Sequence, residues 1–329
     1  MTLKLPTPVN RALTMLRTAG FEAYVVGGCV RDSLLHKTPA DWDVTTSAKP
    51  EQILEVFSSE RTIPTGLEHG TVTVLLEGEP IEITTYRIDG AYTDHRHPDA
   101  VTFTASLQED LRRRDFTINA LAYSPEEGLV DICSGAADLE SHRIVCVGDP
   151  ETRFTEDALR ILRALRFSAV LGFPIEKMTA AALRKLAPLL RRVAAERIAV
   201  ELKKLLCGIE CRRVLLEYPD VLGVVLPELL PMVGLQQENP YHYLTVYEHM
   251  AETVQAAPPD LTLRLTMLFH DCGKPQCYTR DTAGVDHFRG HAAISAALAE
   301  QALERLRFDR KTIDAVKQLV LHHDDDLPA

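Results

Sequence analysis

A chain of 329 residues exceeds the ~250 to 300 that a single core usually organises, so more than one module is expected. Its composition, 46% hydrophobic and 25% charged, is that of a globular protein, and no apolar run nears the ~18 to 20 residues of a membrane helix, which argues against a membrane partner. A net charge of -11 opposes nucleic-acid binding in general, but residues 153 to 213 hold 14 Lys/Arg against 6 Asp/Glu, a local balance of +8 that leaves -19 for the rest. That segment is either an electrostatic footprint for RNA or a set of helices with solvated basic faces.

The first stretch, MTLKLPTPVNRALTMLRTAG, lacks an apolar signal core and reads as a short amphipathic helix. The seven cysteines (29, 133, 146, 207, 211, 272 and 277) include no CxxC pair, and an odd count without a secretion signal predicts reduced thiols in a cytoplasmic protein. EAYVVGG reads as a strand ending in a glycine turn, EQILEVF as a helix, and GTVTVLLEG and PIEITTYRI as alternating strands whose EGEP junction predicts an antiparallel hairpin. LQEDLRRRDFTINALAY then changes to helical spacing, and the whole of residues 1–150 is predicted to be an α+β domain. From Glu151 onward the pattern is helical, with Gly or Pro at the joints LGFP, EYPD, LPELLP and APPD. A break near ENPYHY (238 to 243) and the histidines beyond it mark a further module, so the expected division is 1–150, 151–237 and 238–329.

One constellation lies in VVGGCVRDSLLHKTPADWDVTT, residues 25 to 46. Gly27 and Gly28 after a strand let the backbone approach a ligand closely, and the amides of such a turn form a nest for phosphate oxygens. Arg31 is placed to clamp a phosphate. Asp41 and Asp43, at i and i+2, point to one face of a strand and can share a metal, with Glu82 on the neighbouring strand as a third carboxylate. Hard oxygen ligands without Cys or His suit Mg²⁺, and the set fits two-metal nucleotidyl transfer. Taken singly, a glycine pair is usually a turn and a DxD usually a solvated strand end.

Order and spacing make the signal specific. GGxxRD followed by DxD resembles the polymerase-beta-like nucleotidyltransferases, and ADWDVTTSAKP, IEITTYRIDGAYTDHRHPDAVTF, LQEDLRRRDFTINALAY, DICSGAADLESHRI and GDPETRFTEDALRILRALRFSAVLGF extend it over nearly the whole chain. The sequence resembles the class II tRNA nucleotidyltransferase (CCA-adding enzyme) and bacterial poly(A) polymerase family. The resemblance implies that Gly27, Gly28, Arg31 and Asp32 line the nucleotide, that Asp41 and Asp43 hold Mg²⁺ with Glu82 as a further catalytic carboxylate, and that Arg114 lies against the nucleotide. Asp115 and Asn119, in the same motif, either touch it or brace the turn.

In EDALRILRALRF, Asp157, Arg160, Arg163 and Arg166 fall at three-residue steps and are expected to form one helical stripe beside Glu156. On spacing alone the stripe reads first as a charged helix face laced with ion pairs; the family resemblance implies that it is the nucleotide-selecting motif. Cytosine and adenine both present an exocyclic amine beside an unprotonated ring nitrogen. An ionised Asp only accepts and an Arg only donates, so Asp157 with Arg160 can pair with either base, while uracil and guanine set acceptor against acceptor and donor against donor. The polar, Gly- and Pro-broken stretch between Arg87 and Phe103 is expected to be a mobile loop, which in the family goes with switching from C to A addition.

The last module carries His249, His270, Asp271, His287, His291, His323 and Asp324. A lone His is usually a packed core residue, but a His-Asp doublet after an apolar run and before Gly-Lys-Pro resembles the HD superfamily of metal-dependent phosphohydrolases. That resemblance implies a divalent ion on His249, His270, Asp271 and Asp324, with His287, His291 and His323 as neighbours or further ligands. An alternative is an inherited helical fold that helps to hold RNA and hydrolyses nothing. Family members with this module continue with more helices, so an RNA-contacting segment is expected to lie beyond this sequence or to be absent.

The sequence reading is therefore template-independent CCA addition to tRNA from CTP and ATP. Its rivals are an A-adding enzyme or a poly(A) polymerase, and an HD-type phosphohydrolase whose head senses nucleotides.

Overall fold

The computed structural model describes residues 2–89, 101–238 and 243–325. The loop expected between Arg87 and Phe103 lies mostly outside the described residues, as do most of the ENPYHY break and the last four residues. The chain divides into two units, Met1–Asp157 and Ala158–Ala329.

The first unit is built on a seven-stranded mixed sheet. In chain order its elements are helix α1 (Thr7–Thr18), strand β1 (Ala23–Val26), α2 (Gly28–Leu34), β2 (Asp43–Thr46), α3 (Pro50–Val56), β3 (Arg61–Gly66), β4 (Thr71–Leu76) and β5 (Glu79–Thr85). There follow the short pair β6 (Arg87–Asp89) and β7 (Val101–Phe103), then α4 (Leu107–Arg112), β8 (Leu121–Ser124), β9 (Gly128–Asp131), α5 (Gly135–Glu140) and α6 (Pro150–Glu156). The sheet runs β3-β4-β5-β2-β1-β8-β9, with β2 and β5 parallel and their other sheet pairings antiparallel.

Alternation along the strands sorts the two faces. Val25, Val44, Val72, Val74, Ile81 and Ile83 pack against Leu13 and Leu16 of α1 and Ile53 of α3. On the opposite face Tyr24, Val26 and Ala122 meet Leu107 and Leu111 of α4. β4 alternates half-buried and buried along its length, as a strand with one covered face must. The hairpin expected at EGEP is present: β4 and β5 pair antiparallel around Glu77 and Gly78, both at positive φ (54° and 86°), which suits a tight two-residue turn.

The expectation of helix across LQEDLRRRDFTINALAY is corrected. Only Leu107–Arg112 is α-helical; Thr117–Asn119 makes a 3-10 turn, and Leu121–Ser124 enters the sheet between β1 and β9. All four residues of β8 are buried, so the apolar run that imitates helical spacing is a strand covered on both faces.

The second unit is helical: α7 (Leu159–Leu171), α8 (Lys177–Leu186), α9 (Ala195–Leu206), α10 (Cys211–Glu217), α11 (Pro219–Val225), α12 (Val246–Ala256), α13 (Leu261–Phe269), α14 (Lys274–Cys277), α15 (His291–Arg305) and α16 (Arg310–Leu321). A small hairpin, β10 (Thr279–Arg280) with β11 (Asp286–His287), interrupts the helices before α15. On α9 the buried residues Ile198, Leu202 and Leu205 recur at helical steps, and that helix packs on α7; further along, α13, α15 and α16 pack together. All seven cysteines are free thiols, as their spacing predicts. Among the described residues no helix is long and apolar enough to cross a membrane.

Candidate active site and metal cluster

In the first unit the sheet face away from α1 carries the carboxylates. Asp43 opens β2 and stands in register with Glu82 on the parallel strand β5. Trp42 packs into the core on the helix-covered side with Val44, so strand alternation sends Asp43 the other way. Burial raises the Asp43 carboxyl most, and the charges of Asp41 and then Glu82 raise it further; Arg114 opposes them, and the result is about 6. A buried carboxyl raised further by two neighbouring carboxylate charges sits in a field that a hard cation relieves. Asp41, Asp43 and Glu82 are thus chemically suited to Mg²⁺.

The glycine turn lies beside them. Gly27 has φ +82°, a conformation L side chains rarely adopt, and a Cβ there would come within 3.1 Å of Nη1 of Arg114. Arg31 donates from Nη1 to Oδ1 of Asn119 at 2.6 Å and from Nε to Asp32 at 2.8 Å. Asn119 in turn donates to Oδ1 of Asp115 at 3.2 Å. Asp115 and Asn119 are 8% and 6% exposed, and Asn119 links the two by accepting from Arg31 and donating to Asp115.

The structure also brings in a residue that the sequence reading passed over. Asp110 is fully buried, receives Nε and Nη2 of Arg113 at 3.0 and 2.7 Å, and lies 3.5 Å from Nη2 of Arg114. Its place three and four residues before two arginines was the available signal.

The stripe expected on one helix is altered in one respect. Asp157 is not on the helix of the arginines: α6 ends at Glu156, and Asp157 has extended dihedrals, φ -134° and ψ 102°. Arg160, Arg163 and Arg166 do share α7. Arg160 is buried at 8% exposure, while Arg166 pairs with the buried Glu201 at 2.7 Å, with Arg163 3.9 Å from the same carboxylate. Arg166 also lies over the ring of Phe167, 3.9 Å from its centroid. Glu156 is held by Arg153 at 2.8 Å.

In the second unit the histidines converge on Asp271. Two triads, His249, His270 and Asp271, and Asp271, His291 and His323, each bring their ligand atoms within 4.8 Å; among the described residues these are the groups of three that do so. The Nε2 atoms of His270 and His291 each lie 3.2 Å from Asp271, on Oδ2 and Oδ1 respectively. Each Nδ1 faces a backbone carbonyl three residues earlier: Met267 for His270 at 2.7 Å, Phe288 for His291 at 2.9 Å and Val320 for His323 at 2.7 Å. A carbonyl only accepts, so each Nδ1 carries a proton, and Nε2 is the atom turned inward, a donor to Asp271 when protonated and a metal ligand when not.

Asp324, at the mouth, is 3.3 Å from Nε2 of both His291 and His323. His287 lines the same cleft, but its Nε2 is paired with Asp281 at 2.8 Å. Lone pairs and carboxylates pointed at one another need positive charge between them, and the donor set fits a divalent ion. Lys274, also passed over by the sequence reading, supplies part of that charge: its Nζ is 2.8 Å from both Asp271 Oδ2 and Gln237 Oε1. Burial alone would raise Asp271, yet hydrogen bonds from His270 and His291 hold it well below the usual carboxylate range. Gly273 makes this convergence possible, because a Cβ there would sit 2.6 Å from the backbone oxygen of His291 on α15.

Comparison with known proteins matches three family models along the chain. Residues 23–145 match the Poly A polymerase head domain, 172–232 the probable RNA and SrmB-binding site of polymerase A, and 241–329 the HD domain. The chain is 53% identical over 201 residues to the CCA-adding enzyme of Limosilactobacillus fermentum, covering 61% of this chain and 50% of that protein. It is 54% identical over 196 residues to the CCA-adding enzyme of Leuconostoc citreum, covering 60% and 48%. The chain thus spans about half the length of the curated relatives it matches. Among solved structures, Bacillus stearothermophilus CCA-adding enzyme in complex with CTP aligns with a TM-score of 0.67 at 29% identity, over 98% of this chain and 71% of that one. A tRNA nucleotidyltransferase complexed with a primer tRNA and an incoming ATP analog aligns with a TM-score of 0.62 at 25% identity, over 95% and 84%.

Proposed function

We propose that the chain is a member of the class II tRNA nucleotidyltransferase and poly(A) polymerase family and that it adds CCA to the 3′ end of tRNA from CTP and ATP. The observation that carries the proposal is the in-register pair of Asp43 and Glu82 beside the Gly27 turn and Arg114. Mg²⁺ held by Asp41, Asp43 and Glu82 would lower the pKa of the attacking 3′-hydroxyl and neutralise charge on the leaving pyrophosphate. The chain's own groups do the rest. The turn at Gly27 and Gly28 leaves backbone open to triphosphate oxygens, Arg31 is fixed by Asn119 and Asp32 toward that turn, and Arg114 lies over it. The 3′-oxygen bonds to the α-phosphorus and pyrophosphate departs along the opposite direction.

Asp157 and Arg160 are the proposed readers of the base, and the basic stretch 153–213 is the proposed tRNA footprint. The functional division remains head 1–150, neck and body 151–237 and HD module 238–329. Product length is the test. Given CTP and ATP together, primers ending before CCA, after C and after CC should each be completed to CCA and no further; with CTP alone extension should stop at CC, and with ATP alone only the CC-ending primer should gain its A. Extension only of the CC-ending primer by A would mean an A-adding enzyme, and long tails a poly(A) polymerase.

A second reading concerns the second unit alone. The cluster around Asp271 favours a bound divalent ion able to activate water against a phosphoester, for example a cyclic phosphate on an RNA end. Phosphoester hydrolysis that survives Asp41→Ala with Asp43→Ala and vanishes in His270→Ala would support it; no hydrolysis of such ends by the metal-loaded protein would leave the cluster a binding site only.

A further inference from the structure

Asp110 has more partners than a helix carboxylate needs for stability, and they belong to three parts of the head site. Oδ1 takes Arg113 through two nitrogens and the backbone N–H of Arg87, the latter at 3.4 Å. Oδ2 takes the hydroxyl of Thr45 at 3.2 Å and stands 3.5 Å from Nη2 of Arg114. Thr45 lies two residues after Asp43 on β2, and Arg87 follows the strand that carries Glu82. A single buried carboxylate thus joins the strand of one metal-facing carboxylate, the end of the other, and Arg114.

Arg114 is held incompletely by the protein. Its Nη1 lies where a side chain on Gly27 would begin, at 3.1 Å, and its Nε is buried without a hydrogen-bond partner. A buried guanidinium nitrogen without an acceptor is costly unless a ligand supplies one. By contrast Arg113 already gives two hydrogen bonds to Oδ1, from Nε and Nη2. The two arginines therefore divide the carboxylate: Arg113 satisfies one oxygen, and Arg114 is steered by the other while keeping donors for a partner outside the protein.

We infer that Asp110 is the positioning residue for Arg114, fixing its guanidinium over the glycine turn so that the open donors meet the incoming nucleoside triphosphate. The inference rests on the nucleotidyltransferase reading. It gives Asp110 no contact with substrate: it acts through Arg114 and, by way of Thr45, keeps that group in register with Asp43. Burial opposes a charged Asp110, but the charges of Arg114 and Arg113 keep the carboxyl below its ordinary range, so the anchor is ionised at neutral pH.

A double-mutant cycle on the full chain tests this, read as CTP and ATP dissociation constants in the presence of Mg²⁺ and as the split between KM and kcat. Asp110→Asn keeps the shape and removes the charge; it should weaken nucleotide binding on the order of 10- to 100-fold, the range typical of lost supporting groups. Arg114→Gln should do the same, and the double variant should be no worse than Arg114→Gln alone, because the carboxylate works through the arginine. Additive losses would overturn the inference, as would wild-type affinity in Asp110→Asn. If Asp110→Asn does not fold, Arg113→Gln carries the test. It leaves Oδ2 and Arg114 together, so affinity within about twofold of wild type is expected, and a loss as large as that of Arg114→Gln would mean a scaffold role only. Wild-type protein that binds neither nucleotide would instead refute the nucleotidyltransferase reading.

Discussion

Asp43 stands directly beside Glu82 across the parallel pairing of β2 and β5, so two carboxylates almost forty positions apart in the chain share one face of the sheet. Parallel register fixes which residues are neighbours, and alternation fixes the face they share. With Asp41 adjacent, the protein has assembled like charges at a place where their repulsion costs stability and a cation removes that cost.

That cost separates function from stability. Asp43→Asn is expected to lower nucleotide addition by roughly 1000-fold or more, about 4 kcal/mol of transition-state stabilisation. The same change should raise the melting temperature of metal-free protein by roughly 2 to 6 °C, since it removes the buried repulsion. Primer extension and calorimetry on one preparation check both halves.

The acidity of Asp43 gives the pH dependence a sign. Its folded value, about 6, lies above the ordinary 3.8, so protonation favours the folded state: the stabilisation is complete below 3.8 and is lost as pH rises through 6. Denaturant titrations of wild type and Asp43→Asn without metal should therefore differ by on the order of 1 to 3 kcal/mol at pH 7. The gap should close as pH falls from 6 toward 4. Because an ion must displace that proton, Mg²⁺ affinity should fall below pH 6, visible in isothermal titration.

The cluster around Asp271 predicts a second, independent ion response. Mn²⁺ or Zn²⁺ added in excess should raise the melting temperature of the wild-type protein, and Asp271→Asn or His270→Ala should abolish the rise. Nucleotide addition should survive either change, because Asp271 belongs to the second unit and Asp43 to the first. Loss of addition in both variants, with the fold intact by circular dichroism, would contradict separate sites.

Base choice is expected to depend on Asp157 and Arg160 more than the chemical step does. Substituting either by Ala should let UTP and GTP compete with CTP at levels about 10- to 100-fold above wild type, since the mismatch cost of unpaired polar groups is gone. Competition assays with all four nucleotides measure it. Arg160 is buried, so a thermal melt belongs beside the Arg160→Ala assay.

Much of this site is legible in the sequence because it rests on short-range rules. The glycine pair and the EGEP hairpin each depend on a few neighbouring residues, and the structure contains both; of the DxD pair only Asp43 lies on β2, with Asp41 just before the strand begins. The RRDFTINALAY stretch misleads because apolar spacing cannot tell a helix from a strand buried on both faces, and only the partners β1 and β9 decide it. Asp157 misleads for a related reason: three-residue spacing continues across a helix break that is set by backbone geometry at one residue.

What the sequence determined by itself was the chemical inventory: carboxylates, arginines and a glycine turn in one module, and histidines with a His-Asp doublet in another. Tertiary structure alone decided which of them meet. His291 and His323 became central and His287 turned to Asp281, because helix packing and a hairpin set their directions. Asp110 and Lys274, unremarkable as letters, became anchors because burial leaves a charge only the partners that the fold supplies.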